Sequence, residues 1–381
     1  MLNNLKNNPA FPGMVLVAVA VIAIVWANSP FAAAYDAMKN ARLAIPFLAL
    51  DKPLELWVND LLMAVFFLLV GLELKREIIK GELANPRRAG LAIFAALGGM
   101  IAPAVLYSAL NLGTDGASGW GIAMATDIAF AVGVLSLLGS RVPLPLKIFL
   151  TALAVVDDLG AVLVIALFYT SKINLVMLGL AGLVFAALWG LNAARVKALP
   201  VYLALGLVLW YAVLKSGLHA TIAGVLLAFT IPMGKEEHNP LETLEHAIKD
   251  FVAFFVMPVF ALFNAGVALN VAGGINQITT GVFLGLLLGK PLGITLFSML
   301  AVRLGLAELP RGANWLMILG VGTLAGIGFT MALFIANLAF PKNPELIESA
   351  KLGILAASLV AALLGAALLL GSGKRAVQTV Q

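Results

Sequence analysis

Apolar runs of about twenty residues recur along this chain between short polar gaps, a pattern that predicts an all-α polytopic membrane protein. At 1.5 Å rise per residue, about twenty residues make a helix of roughly 30 Å, the thickness of a bilayer's hydrocarbon core. About twelve transmembrane helices follow, near 11–29, 57–74, 90–111, 120–138, 148–169, 174–193, 200–214, 217–232, 251–270, 281–302, 315–339 and 350–371. Spans seven and eight are short, with a tight turn expected around Lys215, Ser216 and Gly217. Residues 1–381 read as a single transmembrane domain. The run Met14 to Ala27 after Lys6 resembles a signal peptide but lacks a clean small-x-small site, so it is read as an uncleaved first helix.

Two gaps are long enough to carry structure. Within 30–56, the stretch Leu43 to Leu56 predicts a small external β-hairpin around Asp51 and Lys52. Within 233–250, Leu241, Leu244, Ala247 and Ile248 recur at helical spacing among polar residues, so span nine is expected to begin early as an amphipathic cytoplasmic extension.

Composition agrees with a membrane protein: 62% hydrophobic, 11% charged, 37 glycines and a mean hydropathy of +1.04. The net charge of +5 is spread through the gaps instead of gathered on one segment, which argues against nucleic acid. Of the 24 Lys and Arg residues, 16 fall in the alternate gaps that include both termini, 7 in the other gaps, and Lys290 in a span. That asymmetry predicts both termini in the cytoplasm. The absence of cysteine excludes disulfides, thiolate metal sites and a cysteine nucleophile.

Four ionisable residues fall in the middle of spans: Asp127, the adjacent pair Asp157 and Asp158, and Lys290. Each costs roughly 2.5 to 3.5 kcal/mol at a helix centre on insertion scales, so a functional role is the first reading. Three acids and one base leave a deficit of two positive charges, which protons or bound cations must supply. Adjacent helical positions lie about 100° apart, so Asp157 and Asp158 can face two neighbouring groups around one cavity. Buried, mutually repelling carboxyls hold protons more readily than free ones, and a hard cation such as Na⁺ or Li⁺ needs the same oxygens deprotonated. Competition between proton and cation at one alternately exposed site is sufficient for exchange. A structural pairing with Lys290 is an equal alternative for one aspartate, but one lysine cannot compensate all three acids.

Span eleven carries Gly320, Gly322, Gly326 and Gly328, which weaken the helix where it crosses the bilayer centre; close helix packing through Gly322 and Gly326 is the alternative. In span four, Thr126 and Asp127 lie between Gly121 and Gly133. If both spans unwind and cross, their half-helix dipoles need neutralising, and Asp127 and Lys290 are the charges suited to it.

Several motifs, in order, carry a wider resemblance: Trp57 to Glu77, Ala125-Thr126-Asp127, Gly139 to Pro143, Val156-Asp157-Asp158-Leu159-Gly160, Leu214 to Thr221, Phe263 to Val267, Gly289-Lys290-Pro291-Leu292-Gly293 and Gly326-Ile327-Gly328-Phe329-Thr330. Over nearly its whole length the chain resembles the NhaA family of bacterial sodium/proton antiporters. The resemblance implies inverted-topology repeats, with spans four and eleven interrupted and crossing. It implies Asp158 as principal ligand for Na⁺ or Li⁺, Asp157 as its partner that exchanges protons and alternately pairs with Lys290, and Thr126 and Asp127 at the crossing. It further implies electrogenic exchange across the bacterial inner membrane without a cofactor, greater activity at alkaline pH, and a homodimer formed through the periplasmic loop. Glu73, Arg76, Glu77, Glu245 and His246 match the family's pH-response positions, and His219 joins them because histidine titrates most readily near neutrality. For these six, solvated loop charge or packed histidine is an equal alternative. Lys249 stands where a second histidine is expected, so the pH threshold does not carry over. A channel or symporter, and an intramembrane aspartyl protease, are rivals; no second substrate pocket and no Gly-x-Gly-Asp signature supports them.

Overall fold

The computed structural model describes residues 10–170, 173–234, 239–268 and 275–378. Residues 235–238 of the expected cytoplasmic extension lie outside the described residues. The helices are α1 (Phe11–Ala27), α2 (Ala32–Asn40), α3 (Leu54–Ile79), α4 (Pro86–Asn111), a 3₁₀ helix (Asp115–Met124), α5 (Ile128–Leu137), α6 (Leu144–Phe168), α7 (Leu175–Ala193), α8 (Leu199–Ser216), α9 (Ile222–Thr230), α10 (Pro240–Asn264), α11 (Gln277–Arg303), α12 (Trp315–Ala325), α13 (Phe329–Ala339) and α14 (Pro344–Gln378). Among the described residues eight helices are long and apolar enough to cross a membrane, and eleven crossings result if each of three bent pairs counts as one. The protein is thus an all-α polytopic membrane protein. The remaining predicted span, 217–232, contains only the nine-residue α9, about 14 Å long, because Gly217 takes a left-handed φ of 89° and the chain turns until Ile222.

The chain divides into two compact units, 1–21 with 81–161 and 267–381, and 22–80 with 162–266. The first unit runs straight, broken, straight twice: α4, the 3₁₀ helix with α5, α6; then α11, α12 with α13, α14. Its straight helices α4 and α11 touch backbone to backbone. A Cβ on Gly98 would lie 2.2 Å from the Gly293 carbonyl oxygen, and one on Gly293 2.1 Å from that of Gly98, so only glycine fits at either position. One turn before Gly293, α11 widens into a π turn at Gly285–Gly289, and Lys290 follows it directly.

The second unit holds α2, a β-hairpin, α3 and α7 to α10. Its core gathers Leu68, Leu72, Leu188, Tyr202, Leu209 and Leu227. The hairpin pairs β1 (Arg42–Ile45) antiparallel to β2 (Leu50–Pro53), with Ile45 opposite Leu50. Its loop residue Ala49 has a left-handed φ of 49°, and Lys215 holds the loop by donating to the Ala49 carbonyl at 2.7 Å. The amphipathic stretch is a helix from Pro240 onward, started by the Asn239 side chain accepting from Glu242 N.

Candidate functional site

In span four the 3₁₀ helix stops at Met124 and α5 starts at Ile128, with a bend of 43°; in span eleven α12 stops at Ala325 and α13 starts at Phe329, with a bend of 51°. Each break strands backbone groups that lipid cannot satisfy. The two breaks satisfy one another. Asp127 N donates to the Ile327 carbonyl at 2.7 Å, and the Thr126 hydroxyl lies 2.9 Å from the Ala325 carbonyl at the end of α12. The Asp127 carboxylate caps both following half-helices: Oδ1 accepts from Phe130 N at 3.0 Å, and Oδ2 accepts from Thr330 N at 3.1 Å and from the Thr330 hydroxyl. A negative group therefore sits where two helix N-termini converge, the polarity their dipoles favour.

Lys290 supplies the opposite charge. Its ammonium donates to the Met124 carbonyl, at the C-terminal end of the 3₁₀ helix, and to Asp157 Oδ2 at 2.6 Å. Thr126 Oγ1 is also 2.6 Å from Asp157 Oδ2, so one hydroxyl proton lies between the carboxylate and the Ala325 carbonyl. Asp157 and Asp158 are each 2% exposed and Lys290 and Asp127 1%. Asp158 lies within electrostatic reach of Lys290, but the direct ion pair belongs to Asp157. Asp157 Oδ1 is buried without a hydrogen-bond partner.

All five predicted site residues, Thr126, Asp127, Asp157, Asp158 and Lys290, thus converge in the first unit. Two further contributors escaped the sequence reading. Thr330 anchors Asp127, and Ser358 of α14 accepts from Phe329 N at 3.2 Å, capping α13 from the side. A threonine just past a glycine-rich break, and a serine buried in an apolar helix, are the signals that were there to be read. Among the described residues no group of three or more His, Asp and Glu side chains comes together as a metal cage. A cation here would draw on carboxylate oxygens, the Thr126 hydroxyl and freed carbonyls, the oxygen donors hard ions prefer.

The six other candidates lie in the second unit and do not form one cluster. Arg76 pairs with Glu245, which is 1% exposed, and with Glu77 at 3.3 Å, while Glu73 lies within electrostatic reach of Arg76, Glu77, Glu245 and Lys249. His246 is exposed and its Nδ1 meets the Glu242 carbonyl at 2.6 Å. His219 is apart from all of these: its Nδ1 lies 2.8 Å from Thr221 Oγ1 and its Nε2 3.8 Å from Asp60, which Lys52 also holds. Asp60 is sixteen residues from Arg76 on the same helix, about 24 Å along its axis.

Apolar membrane helices, broken in pairs around buried charges, define a membrane transporter that handles small ions. The chain belongs to the Na⁺/H⁺ antiporter 1 family, whose model matches residues 3–369. It is similar to the Na⁺/H⁺ antiporter NhaA of Oleidesulfovibrio alaskensis, 49% identical over 403 aligned positions that cover 92% of this chain and 89% of the relative. The NhaA antiporters of Citrobacter koseri and Escherichia coli are each 50% identical over 374 positions, covering 96% of both chains.

Proposed function

We propose that this protein expels Na⁺ or Li⁺ across the bacterial inner membrane in exchange for H⁺, at Asp157 and Asp158. The observation that carries the reading is the charge imbalance: three carboxyls buried to 2% exposure or less around one buried lysine, with Asp157 Oδ1 unpartnered. A cation binding between Asp157 and Asp158 competes with the Lys290 ammonium for the Asp157 carboxylate, and protons compete with the cation for both acids. Two carboxyls that take protons against a single monovalent cation move net charge, which makes the exchange electrogenic. Asp127 stays bound to the two helix ends and acts by its field, because both its oxygens are already engaged. Opening of this one site to one side of the membrane at a time suffices for coupling.

The basic excess in alternate gaps supports cytoplasmic termini. The hairpin then faces the periplasm, where its exposed Leu43 and Phe47 and unpaired strand edges suit it to a homodimer contact. The Arg76, Glu77 and Glu245 network, with Glu73, is the group fitted to tune exchange with pH. His246 adjoins Glu245 on α10, on its exposed side.

Proteoliposomes with an imposed pH gradient and an internal pH dye test the assignment. Na⁺ and Li⁺, but not choline, are expected to dissipate the gradient, and Asp158→Asn to abolish the response. Sodium-linked proton movement at the wild-type rate in Asp158→Asn rejects the site.

A further inference from the structure

Away from the acid site, the first unit carries a partly open cavity of about 500 Å³ where α4 and α6 begin, beside the chain that follows α11. Its lining is divided. Arg87, Arg88 and Arg311 stand at the helix ends with Glu82 and Glu308, while Leu91, Ile148 and Phe149 make an apolar wall one to two turns further in. The ion site does not account for this cavity. Positions 145, 148, 149 and 152 of α6 share the face that lines it, and at about 100° per residue Asp157 and Asp158 point roughly 130° away from that face, one to each side.

The arginines are held loosely. Arg87 pairs with Glu308 at side-chain exposures of 71% and 69%, and Arg88 with Glu82 at 65% and 27%; ion pairs this exposed contribute little. Arg311 is exposed and makes no ion pair among the described residues. A phosphate that accepts paired bonds from guanidinium groups competes readily with such partners. Both gaps that supply the arginines belong to the basic set of the positive-inside count, the side on which anionic lipids attract basic pockets between transmembrane helices.

We propose that this cavity seats the phosphate of an anionic phospholipid, with the lipid's apolar part lying against Leu91, Ile148 and Phe149. A soluble anion uses the arginines and leaves the wall in water. A phospholipid uses both halves of the lining, and the bilayer delivers it to the helix ends.

Native mass spectrometry of the full-length protein in detergent, with added dioleoylphosphatidylglycerol or dioleoylphosphatidylcholine, reads lipid retention directly. Phosphatidylglycerol is expected to be retained in preference to phosphatidylcholine. Arg87→Gln, Arg88→Gln and Arg311→Gln should each weaken that retention about fivefold, the usual worth of one basic residue near an anionic surface. Arg141→Gln, which removes an exposed arginine outside the cavity, should leave it unchanged. Equal retention of the two lipids, or an equal loss in Arg141→Gln, overturns the site. Displacement of phosphatidylglycerol by millimolar inorganic phosphate also overturns it, in favour of a soluble anion.

Discussion

Around the breaks at 125–127 and 326–328, Asp127, Asp157 and Asp158 share one base, Lys290, whereas the charged band of the second unit sets Glu73, Glu77, Glu242 and Glu245 against Arg76, Lys80 and Lys249. The first group is dry, with Asp157 and Lys290 each 1% exposed at the side chain; in the second, Arg76 and Lys80 keep 33% and 38% exposure. Acids that have several partly exposed bases within reach, as Glu77, Glu242 and Glu245 have Arg76 and Lys80, can pair with them directly. Unbalanced charges in lipid need mobile partners, and small cations and protons are the partners that fit. On the proposed reading the same residue types serve as an ion site in one unit and as a structural or tuning network in the other, and charge and burial separate the two groups.

The sharpest way to break this contrast is Lys290→Ala. It strands the Asp157 carboxylate in the interior, an uncompensated charge worth about 3–5 kcal/mol. A large fall in melting temperature in detergent is expected, and adding Asp157→Asn should recover most of it. A double variant no more stable than Lys290→Ala would mean that the pair is not what the lysine stabilises.

Asp127→Ala comes next, because it uncaps α5 and α13 together. At about 1 kcal/mol for each cap the expected loss is roughly 2 kcal/mol, while Asp127→Asn, which keeps one acceptor oxygen, should lose about half of that. Equal melting of the two variants would remove the shared cap from the account.

The smallest effect is expected in the charged band of the second unit. Glu245→Gln leaves Arg76 with Glu77, so stability should change by about 1 kcal/mol or less, and the saturated exchange rate should hold. Its signature is a displaced pH dependence of sodium-driven proton movement in proteoliposomes. An unmoved profile assigns the network a purely structural part.

Much of the site was legible along the chain because a charge in an apolar run is conspicuous: Asp127, the Asp157 and Asp158 pair and Lys290 needed no contacts to be noticed. Thr330 and Ser358 were missed because a hydroxyl in a membrane helix is unremarkable until the backbone group it satisfies is known. Position along the chain also misled about company. His219 and His246 entered together as titratable residues, yet one lies beside Asp60 and the other on the exposed side of α10.

Hydropathy fixes that this chain crosses the membrane many times, and the count of charges fixes that its interior is short of cations, because both are sums over composition and position. The glycines and the resemblance point to spans four and eleven as the broken ones, and the resemblance to Asp157 as the partner of Lys290, but that the two breaks satisfy each other's backbone was decided by tertiary structure. That outcome depends on donors and acceptors about 200 residues apart, Asp127 with Ile327 and Thr126 with Ala325, meeting within 3 Å, a distance that no local pattern encodes.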